Sequence, residues 1–422
     1  MSATISFCSR LLQENRYSSL IKLSTMIYIN LIAAIFLFFG SQDSALINGE
    51  SEELVIIEQD YNKALKLASE EDKLLFIDFY TTWCAPCKKL DKLVFQDGTI
   101  KESLQKDFIL LKYDAEKDTD FHLSKKHHVS SYPTGLILTP EGFVVNRQYG
   151  FPGEDALSLQ KNVLEFTGES IVRFKENRIV KGYSNTIDPS NYPEFYINFI
   201  NRTNTKVNSS EISNYLITTE NKFSEEYFST LIYFGRDAPV EIADYVLNNK
   251  QKYMNLYGKK DVEILLYFLS VAKFDTALAD MSQEKFEQAE SFTKRALSQD
   301  WVDDILLSYR KEFLKAQNKW DQVFNINADL KDKGEFGNVS INNFSWQVYE
   351  KCDDKDVIKK CIQWMKELTS TESNYAYLDT YAHLLYKSGN KTEAKDIAQL
   401  AIAAAEKENV SGKGIKALVK KL

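Results

Sequence analysis

The chain has 422 residues and a formal net charge of -8, from 52 basic and 60 acidic residues. This acidic balance argues against nucleic acid as a partner, because nucleic-acid recognition needs a basic surface. A composition that is 44% hydrophobic and 27% charged excludes both wholesale disorder and a multi-span membrane protein. Five cysteines are too few for a disulfide scaffold, and the length predicts two or three domains of about 150 residues each.

An apolar run occupies residues 27–39, and Arg10, Arg16 and Lys22 precede it. A basic segment before a short apolar run is typical of a secretory signal, whereas a membrane-spanning helix needs about 20 apolar residues. We therefore predict that residues 1–45 are a cleaved signal peptide or an uncleaved N-terminal anchor, with a buried helix as the third alternative. The protein would then be extracytoplasmic, either periplasmic, secreted or anchored to a membrane by this run.

Helical and strand patterns alternate after residue 54, which is typical of an α/β domain. Apolar residues at helical spacing predict a helix over 61–68, and a continuous apolar run predicts a buried strand over 74–80. The other predicted elements are helices at 88–94, 123–127 and 155–166, a strand at 108–113, and a hairpin with strands at 135–138 and 143–147. Together they predict an α/β domain over residues 50–168.

The remaining sequence has the composition of short-looped helices, because no proline and only six glycines follow Pro239. We predict an all-α solenoid, with degenerate helical repeats over 169–260 and clearer repeats over 261–422. The many Tyr and Phe residues between 170 and 260 are expected to fill the core rather than form a ligand cage.

The clearer repeats are indicated by small residues that recur at the same offsets. The last copy has Ala382, Gly389, Ala394, Ala398 and Ala401. The first copy has Ala277, Ala289, Thr293 and Ala296, and two weaker copies start at Lys311 and Trp346. The starts are 34, 35 and 36 residues apart, a period that fits two antiparallel helices, and the pattern resembles the tetratricopeptide repeat. Such repeats imply binding of a protein partner or self-association.

A Cys-x-x-Cys motif directly follows the predicted strand at 74–80. Its residues are Trp83, Cys84, Ala85, Pro86, Cys87 and Lys88. A strand that leads into this motif at the start of a helix favours a redox dithiol over a metal site. A structural disulfide and half of a zinc site are the alternatives, although Cys352 and Cys361 do not supply a second such motif. We expect no metal.

The position of the two cysteines predicts different roles for them. At a helix N-terminus, the thiolate of Cys84 is favoured by the helix dipole, which predicts that Cys84 is the nucleophile. Cys87 lies one turn further along and can resolve a mixed disulfide formed at Cys84. Pro86 is tolerated in the first turn, where its missing N–H would have no partner in any case.

The segment over residues 54–166 resembles the thioredoxin superfamily, and more narrowly the periplasmic thioredoxin-like domain of bacterial thiol:disulfide interchange reductases. The resemblance is carried by FIDFYTTWCAPCKKL, ILLKYDAEKD and SYPTGLILTPEGFVV. It implies a thioredoxin fold with a redox-active Cys84–Cys87 disulfide, no cofactor, protein disulfides as substrates and an unidentified electron donor.

The resemblance also implies roles for further residues. Asp78 matches a buried acid that moves a proton to and from the resolving cysteine, although a merely tolerated buried carboxylate is the alternative. Pro133 matches the cis-proline beside the dithiol, and Trp83 and Tyr132 would flank the sulfurs and contact the substrate. Pro86 and Lys88 complete the motif.

The sequence departs from the family at two positions near the motif. Ala85 replaces a glycine of cytosolic thioredoxins, and Leu110 stands where they carry a lysine. Asp78 could therefore lack its usual partner, although Lys112 alternates onto the same face of its strand as Leu110.

Other residues that could carry chemistry have plainer interpretations. Cys352 and Cys361 are expected to be core residues, with a stapling disulfide as the alternative. His122, His127 and His128 are expected to be exposed to solvent rather than to bind a metal.

The leading hypothesis is an extracytoplasmic thiol:disulfide oxidoreductase with a helical-repeat domain that binds a partner. The alternative is a non-catalytic adaptor in which the thioredoxin-like domain serves only for docking. An oxidase or isomerase is a third possibility. The resemblance to interchange reductases favours reduction.

Overall fold

The computed structural model describes residues 53–118, 122–186 and 188–422. The predicted signal or anchor within residues 1–45 lies outside these ranges. Among the helices that are described, none is both long enough and apolar enough to cross a membrane. Distances between Cα atoms divide the chain into two compact units, one that ends at Phe268 and one that begins at Leu269.

The first unit contains a five-stranded sheet. Its strands are β1 (Ile56–Glu58), β2 (Leu74–Tyr80), β3 (Phe108–Asp114), β4 (Thr134–Leu138) and β5 (Val144–Tyr149). They are arranged in the order β1-β3-β2-β4-β5, with β1 and β2 parallel to β3, and with β4 antiparallel to both β2 and β5. The carboxyl ends of β2 and β3 therefore lie at the same edge of the sheet.

Helices cover the sheet. They are α1 (Tyr61–Glu70), α2 (Ala85–Leu90), α3 (Gly98–Leu104), α4 (Leu123–Lys126) and α5 (Ala156–Lys175). Helix α2 continues into a π-helical turn, Asp91–Phe95. The ring of Phe76 packs edge-on against Phe95 and Phe166, with centroids 5.7 Å away in both cases. This aromatic contact joins the middle of the sheet to the turn after α2 and to α5, so the helix that carries Cys87 rests on the core.

The predicted α/β fold is confirmed, with differences at its ends. Strand β2 has the predicted bounds, whereas β1 and α3 were not predicted. The predicted helix at 155–166 is too short, because α5 continues to Lys175. The second half of α5 buries the small polar side chains of Thr167 and Ser170, which donate hydrogen bonds to carbonyls one turn earlier. Because these buried residues are polar, a search for apolar residues at helical spacing misses them.

More helices complete the first unit. They are α6 (Glu194–Ile200), α7 (Ser209–Thr218), α8 (Glu225–Phe234), α9 (Val240–Asn248), α10 (Lys250–Tyr257) and the start of α11 (Lys259–Ala279). Their aromatic residues are largely buried, as expected for core filling, and the rings of Phe228 and Tyr257 stack with centroids 3.8 Å apart.

The expectation that three histidines are exposed to solvent is wrong for two of them. The exposed fraction is 2% for His127 and 5% for His128, while His122 is partly buried. The reason is long-range packing: the ring of His128 contacts Tyr183, Phe228 and Tyr233, with centroids 5.7–6.0 Å away. The helices after α5 therefore pack directly on α4 of the sheet domain.

A buried ion pair also joins these helices to the sheet. The guanidinium of Arg147, on β5, donates to Asp261 of α11 at 2.6 Å, and Tyr149 and Tyr183 donate their hydroxyls to the same carboxylate at 2.9 and 2.8 Å. A buried charge is tolerated where it has an opposite charge and hydrogen bonds. The sheet domain and the helices up to α11 are thus held together by polar as well as aromatic contacts.

The second unit begins with the rest of α11 and consists of helices joined by short turns. Its helices are α12 (Gln283–Ala296), α13 (Gln299–Ala316), α14 (Trp320–Asp332), α15 (Asn338–Lys351), α16 (Lys355–Thr371), α17 (Tyr375–Lys387), α18 (Lys391–Lys407) and α19 (Lys413–Val419). In the last predicted copy, Ala382 lies on α17 and Ala394, Ala398 and Ala401 lie on α18, and all four are buried. Helices therefore alternate with short turns, while the assignment to tetratricopeptide repeats stays a prediction.

The two cysteines of the second unit lie in its core, as expected. Cys352 and Cys361 are buried and are free thiols, so the alternative of a stapling disulfide does not apply in this structure. They share a hydrophobic cluster with Val348, Met365 and Leu384.

Candidate active site

The Cys-x-x-Cys motif lies at the carboxyl edge of the sheet, between β2 and α2. Cys84 is the N-cap of α2, and its Sγ accepts a hydrogen bond from the backbone N–H of Cys87 at 3.1 Å. The two cysteines are joined by a disulfide, and the exposed fraction of each is 4%. The segment between β2 and α2 is held by a further hydrogen bond, in which the N–H of Cys84 donates to the carbonyl of Thr81.

This position favours negative charge on Cys84 once the disulfide is reduced. A helix N-terminus presents unpaired N–H groups and the positive end of the dipole, which together stabilise a thiolate. Pro86 occupies the first turn of α2, and Lys88 is exposed in the next turn. The position at the N-cap thus fits the predicted role of Cys84 as the nucleophile, and that role stays a prediction.

The loop that contains Pro133 lies beside the dithiol. The peptide bond between Tyr132 and Pro133 is cis, as the resemblance implies. The ring of Tyr132 meets that of Trp83 edge-on at 6.2 Å, and Trp83 is 66% exposed. The indole N–H of Trp83 donates to Glu116 Oε1 at 2.8 Å, which orients the ring. Trp83, Tyr132 and Pro133 are thus brought together at one surface, while their contact with substrate stays a prediction.

Asp78 lies on β2 beneath the dithiol, with an exposed fraction of 2%. Its Oδ1 has no hydrogen-bond partner among the described residues. Burial raises the pKa of Asp78 to about 7; Lys112 opposes this rise, whereas Asp91 and Glu58 add to it. A carboxyl group with a pKa near neutral can both accept and release a proton, as a proton carrier must.

Lys112 is the cation whose charge lowers the pKa of this carboxyl. It stands opposite Asp78 in the β2–β3 register and opposite Glu58 in the β1–β3 register, and it forms an ion pair with Asp91. Leu110, at the position of the family lysine, is buried instead in the core. Lys112, two residues further along β3, therefore supplies a positive charge near Asp78, although its ammonium group pairs with Asp91 and Asp78 Oδ1 keeps no hydrogen bond among the described residues.

Asp91 and Glu58 were not identified from the sequence. Asp91 follows Cys87 by four residues, one helical turn, and that spacing is the signal that could have indicated it. Glu58 belongs to the three-residue strand β1, which was itself missed.

A cleft of about 380 Å³ links these charged groups to Cys87. Its lining includes Asp78, Cys87, Asp91 and Lys112, and also Lys92 and Gln96. Asp78 and Cys87 therefore line the same cleft, although the carboxyl itself is almost fully buried. No cluster of His, Cys, Asp and Glu in the described ranges could hold a metal ion.

A dithiol at a helix N-terminus, with a cis-proline loop beside it and a buried acid beneath it, defines a thiol-disulfide oxidoreductase of the thioredoxin class. Residues 56–140 match the sequence model of a family described as thioredoxin-like. The thioredoxin of Echinococcus granulosus is 34% identical over 95 residues, which are 22% of this chain and 82% of that protein. The chain belongs to the thioredoxin family.

Two further comparisons are with proteins whose names refer to disulfide chemistry. The thiol:disulfide interchange protein DsbD of Vibrio vulnificus is 32% identical over 78 residues, which are 18% of this chain and only 13% of that protein. A solution structure from Bacteroides thetaiotaomicron, provisionally described as a disulphide-isomerase, is 41% identical and covers 28% of this chain and 97% of its own, with a TM-score of 0.24. These similarities concern the sheet domain and leave the helical part unnamed.

Proposed function

We propose that this protein reduces or exchanges disulfides of client proteins outside the cytosol, and that its helical repeats bind a protein partner. The observation that carries the chemical part is the buried carboxyl of Asp78, which lines the same cleft as Cys87 and has a pKa near neutral. A structural disulfide needs no proton carrier beneath it, whereas a dithiol that turns over does.

The reaction begins with the reduced dithiol. The thiolate of Cys84 attacks one sulfur of the client disulfide, forms a mixed disulfide with it, and releases the other client sulfur as a thiolate. Asp78 then accepts the proton of the Cys87 thiol. The Cys87 thiolate attacks Sγ of Cys84, so that the client leaves with both sulfurs reduced and Cys84 and Cys87 become oxidised. Two electrons have passed from the dithiol to the client.

Each cycle leaves the Cys84–Cys87 disulfide, which must be reduced again. We propose that a partner protein supplies these two electrons by thiol-disulfide exchange, without a cofactor on this chain. The direction of the reaction rests on the resemblance to interchange reductases. A dithiol potential well below about -200 mV would support reduction, whereas a value near about -120 mV would indicate an oxidase.

The extracytoplasmic location rests on the sequence, where a basic segment precedes the apolar run at 27–39. Fractionation of cells that express the full chain tests it: the protein should be found in the periplasm, the medium or the membrane fraction. A protein found only in the cytosol would contradict this location.

Partner binding by the helical repeats is suggested by apolar side chains that are exposed on the second unit. Val339 is 64% exposed and Leu400 is 55% exposed. A protein that used these repeats only as an adaptor would bind its partners equally well without the dithiol.

The reduction of insulin disulfides, with dithiothreitol as the electron source, separates the two hypotheses. We expect the wild-type protein to accelerate insulin reduction and the Cys84→Ser variant to give only the background rate. The Cys352→Ser variant is the matched control, because that thiol is buried in the second unit. Equal rates for the wild type and Cys84→Ser would leave the adaptor as the better description.

A further inference from the structure

The turn after α2 brings Gln96 next to Asp91. The backbone N–H of Gln96 donates to the carbonyl of Asp91 at 3.0 Å, which is the five-residue hydrogen bond of the π-helical turn. An α-helix would instead place Phe95, four residues on, above Asp91. Val94 and Phe95 are buried in the core of the sheet domain, whereas Gln96 is exposed. The wider turn therefore places a polar side chain, rather than an apolar one, beside Asp91.

The amide of Gln96 holds one oxygen of the Asp91 carboxylate. Its Nε2 donates to Asp91 Oδ2 at 2.7 Å, while the other oxygen, Oδ1, forms the ion pair with Lys112. The backbone N–H of Asp91 donates in turn to the carbonyl of Cys87. Asp91 is thus fixed at three points, and one of them is the predicted resolving cysteine.

Lys112 has two carboxyl groups beside it and pairs with one of them. Asp78 and Lys112 are partners in the parallel register of β2 and β3, so their side chains leave the same face of the sheet from backbones about 4.8 Å apart. Both residues line the same cleft as Asp91. The ammonium group nevertheless contacts Asp91, and Oδ1 of Asp78 has no hydrogen-bond partner among the described residues. The contact with Asp91 therefore decides how far the cation is available to Asp78.

The amide of Gln96 is neutral and adds no charge to the surroundings of Asp78. Strand β4 places only the uncharged Gly135 opposite Asp78. Any effect of Gln96 on Asp78 must therefore pass through the position of the Asp91 carboxylate. The charged or titratable groups that share the cleft with Asp78, besides Cys87, are Glu58, Tyr80, Lys88, Asp91, Lys92 and Lys112.

We propose that Gln96 is a positioning residue for the proton transfer at Asp78. Its amide fixes the Asp91 carboxylate, which holds the ammonium group of Lys112 away from Asp78. This assignment rests on the proposed function and adds a residue to its proton-transfer step. Without the amide, only Lys112 fixes the Asp91 side chain, which can then turn toward solvent and release the cation to Asp78. A nearer positive charge favours the ionised carboxylate, so Asp78 would give up its proton at a lower pH.

Gln96→Met tests the proposal, because methionine has a similar length and shape but no amide. Insulin reduction by the full chain, with dithiothreitol as the electron source, is measured between pH 5 and 9 and corrected for the rate without protein. We expect the midpoint of the rate profile to fall by about half a pH unit, since a cation directly beside a carboxyl lowers its pKa by roughly one to three pH units. In the Asp91→Asn background, Gln96→Met should cause no further shift, because Gln96 acts through Asp91.

Gln160→Met is the matched control. The amide of Gln160 donates to the carbonyl of Leu93 in the same turn at 2.9 Å, so this variant removes a hydrogen bond from the turn without touching Asp91. It should keep the wild-type midpoint.

Three results would overturn the role of Gln96. They are a Gln96→Met midpoint no lower than that of the wild type, an equal shift in Gln160→Met, and a shift that persists in the Asp91→Asn background. A wild type that reduced insulin without any midpoint in this pH range would overturn that role as well. A wild type that failed to reduce insulin would instead refute the proposed function on which the role of Gln96 depends.

Discussion

Lys112 stands directly opposite Asp78 in the parallel register of β2 and β3, yet it forms its ion pair with Asp91. The ammonium group therefore contacts Asp91, while its charge also acts on the buried carboxyl of Asp78. Lys112 lowers the pKa of Asp78, whereas Asp91 raises it. The protonation of Asp78 thus depends on two groups that can be changed without touching either cysteine.

Asp78→Asn should slow insulin reduction by about tenfold to a hundredfold, because the resolving thiol loses its general base. The ionised fraction of Asp78 rises with pH, so the wild-type rate should increase with a midpoint near its pKa of about 7. The Asp78→Asn variant should lose this midpoint. Rates measured between pH 5 and 9 check both expectations. A wild-type profile without a midpoint near 7 would argue against Asp78 as the base.

The same variant should be more stable than the wild type at alkaline pH. The pKa of Asp78 is about 7 in the folded chain and 3.8 ordinarily. Between these values the unfolded chain binds fewer protons, so the free energy of unfolding falls as pH rises from about 4 to 7. Asp78→Asn removes this loss, so its free energy of unfolding at pH 8 should exceed that of the wild type by roughly 2–4 kcal/mol. Urea unfolding at pH 4 and pH 8 measures the difference between the two proteins. If Asp78→Asn were no more stable than the wild type at pH 8, burial would not raise the pKa of Asp78.

Asp91→Asn and Lys112→Met should move the midpoint of the rate profile in opposite directions. Loss of the Asp91 charge lowers the pKa of Asp78, both directly and by leaving Lys112 to act on Asp78 alone. Loss of the Lys112 charge raises it. Glu154→Gln, in the exposed pair with Lys89, is the control and should leave the midpoint unchanged. Shifts of the same sign for the first two variants would rule out this arrangement.

Asp261→Asn should destabilise the first unit by about 3–5 kcal/mol, because it leaves the Arg147 guanidinium buried without an opposite charge. The double variant Arg147→Met, Asp261→Leu should recover much of this loss, since an apolar pair needs no compensation. Thermal unfolding checks both. An unchanged melting temperature for Asp261→Asn would show that the helices up to α11 do not depend on this contact.

The thiols of the second unit should be inert in the native protein. Burial raises the pKa of Cys361 to about 12, and burial also raises the pKa of Cys352. After reduction, iodoacetamide at pH 8 should therefore modify Cys84 well before either of them. Mass spectrometry of tryptic peptides checks the order. Rapid labelling of Cys352 or Cys361 would contradict the buried positions of these thiols.

The sequence predicted those features that depend on local pattern. Strand β2 has the predicted bounds because seven consecutive, mostly apolar residues are enclosed by polar ones, and the dithiol follows it at the edge where the strand ends. The cis-proline and the buried acid were predicted from the resemblance to the thioredoxin superfamily, since neither spacing nor composition reveals them. Strand β1 was missed because three residues are too few to show a period.

Features set by long-range packing could not be predicted from local patterns. His128 is buried by Tyr183 and Phe228, which follow it by 55 and 100 residues, so nothing near it in sequence indicates its burial. The contact between Arg147 and Asp261 spans 114 residues. The ion pair of Lys112 with Asp91 depends on how α2 rests on the sheet, and that geometry is fixed by the core around Phe76 and Phe95.

Capture of the mixed disulfide is the most direct test of the proposed catalytic cycle. The Cys87→Ser variant keeps the nucleophile but cannot resolve the intermediate, so with oxidised insulin it should accumulate a covalent adduct at Cys84 that dithiothreitol releases. The Cys84→Ser, Cys87→Ser double variant should give none. If Cys87→Ser formed no more adduct than the double variant, the Cys84–Cys87 pair would not act on protein disulfides.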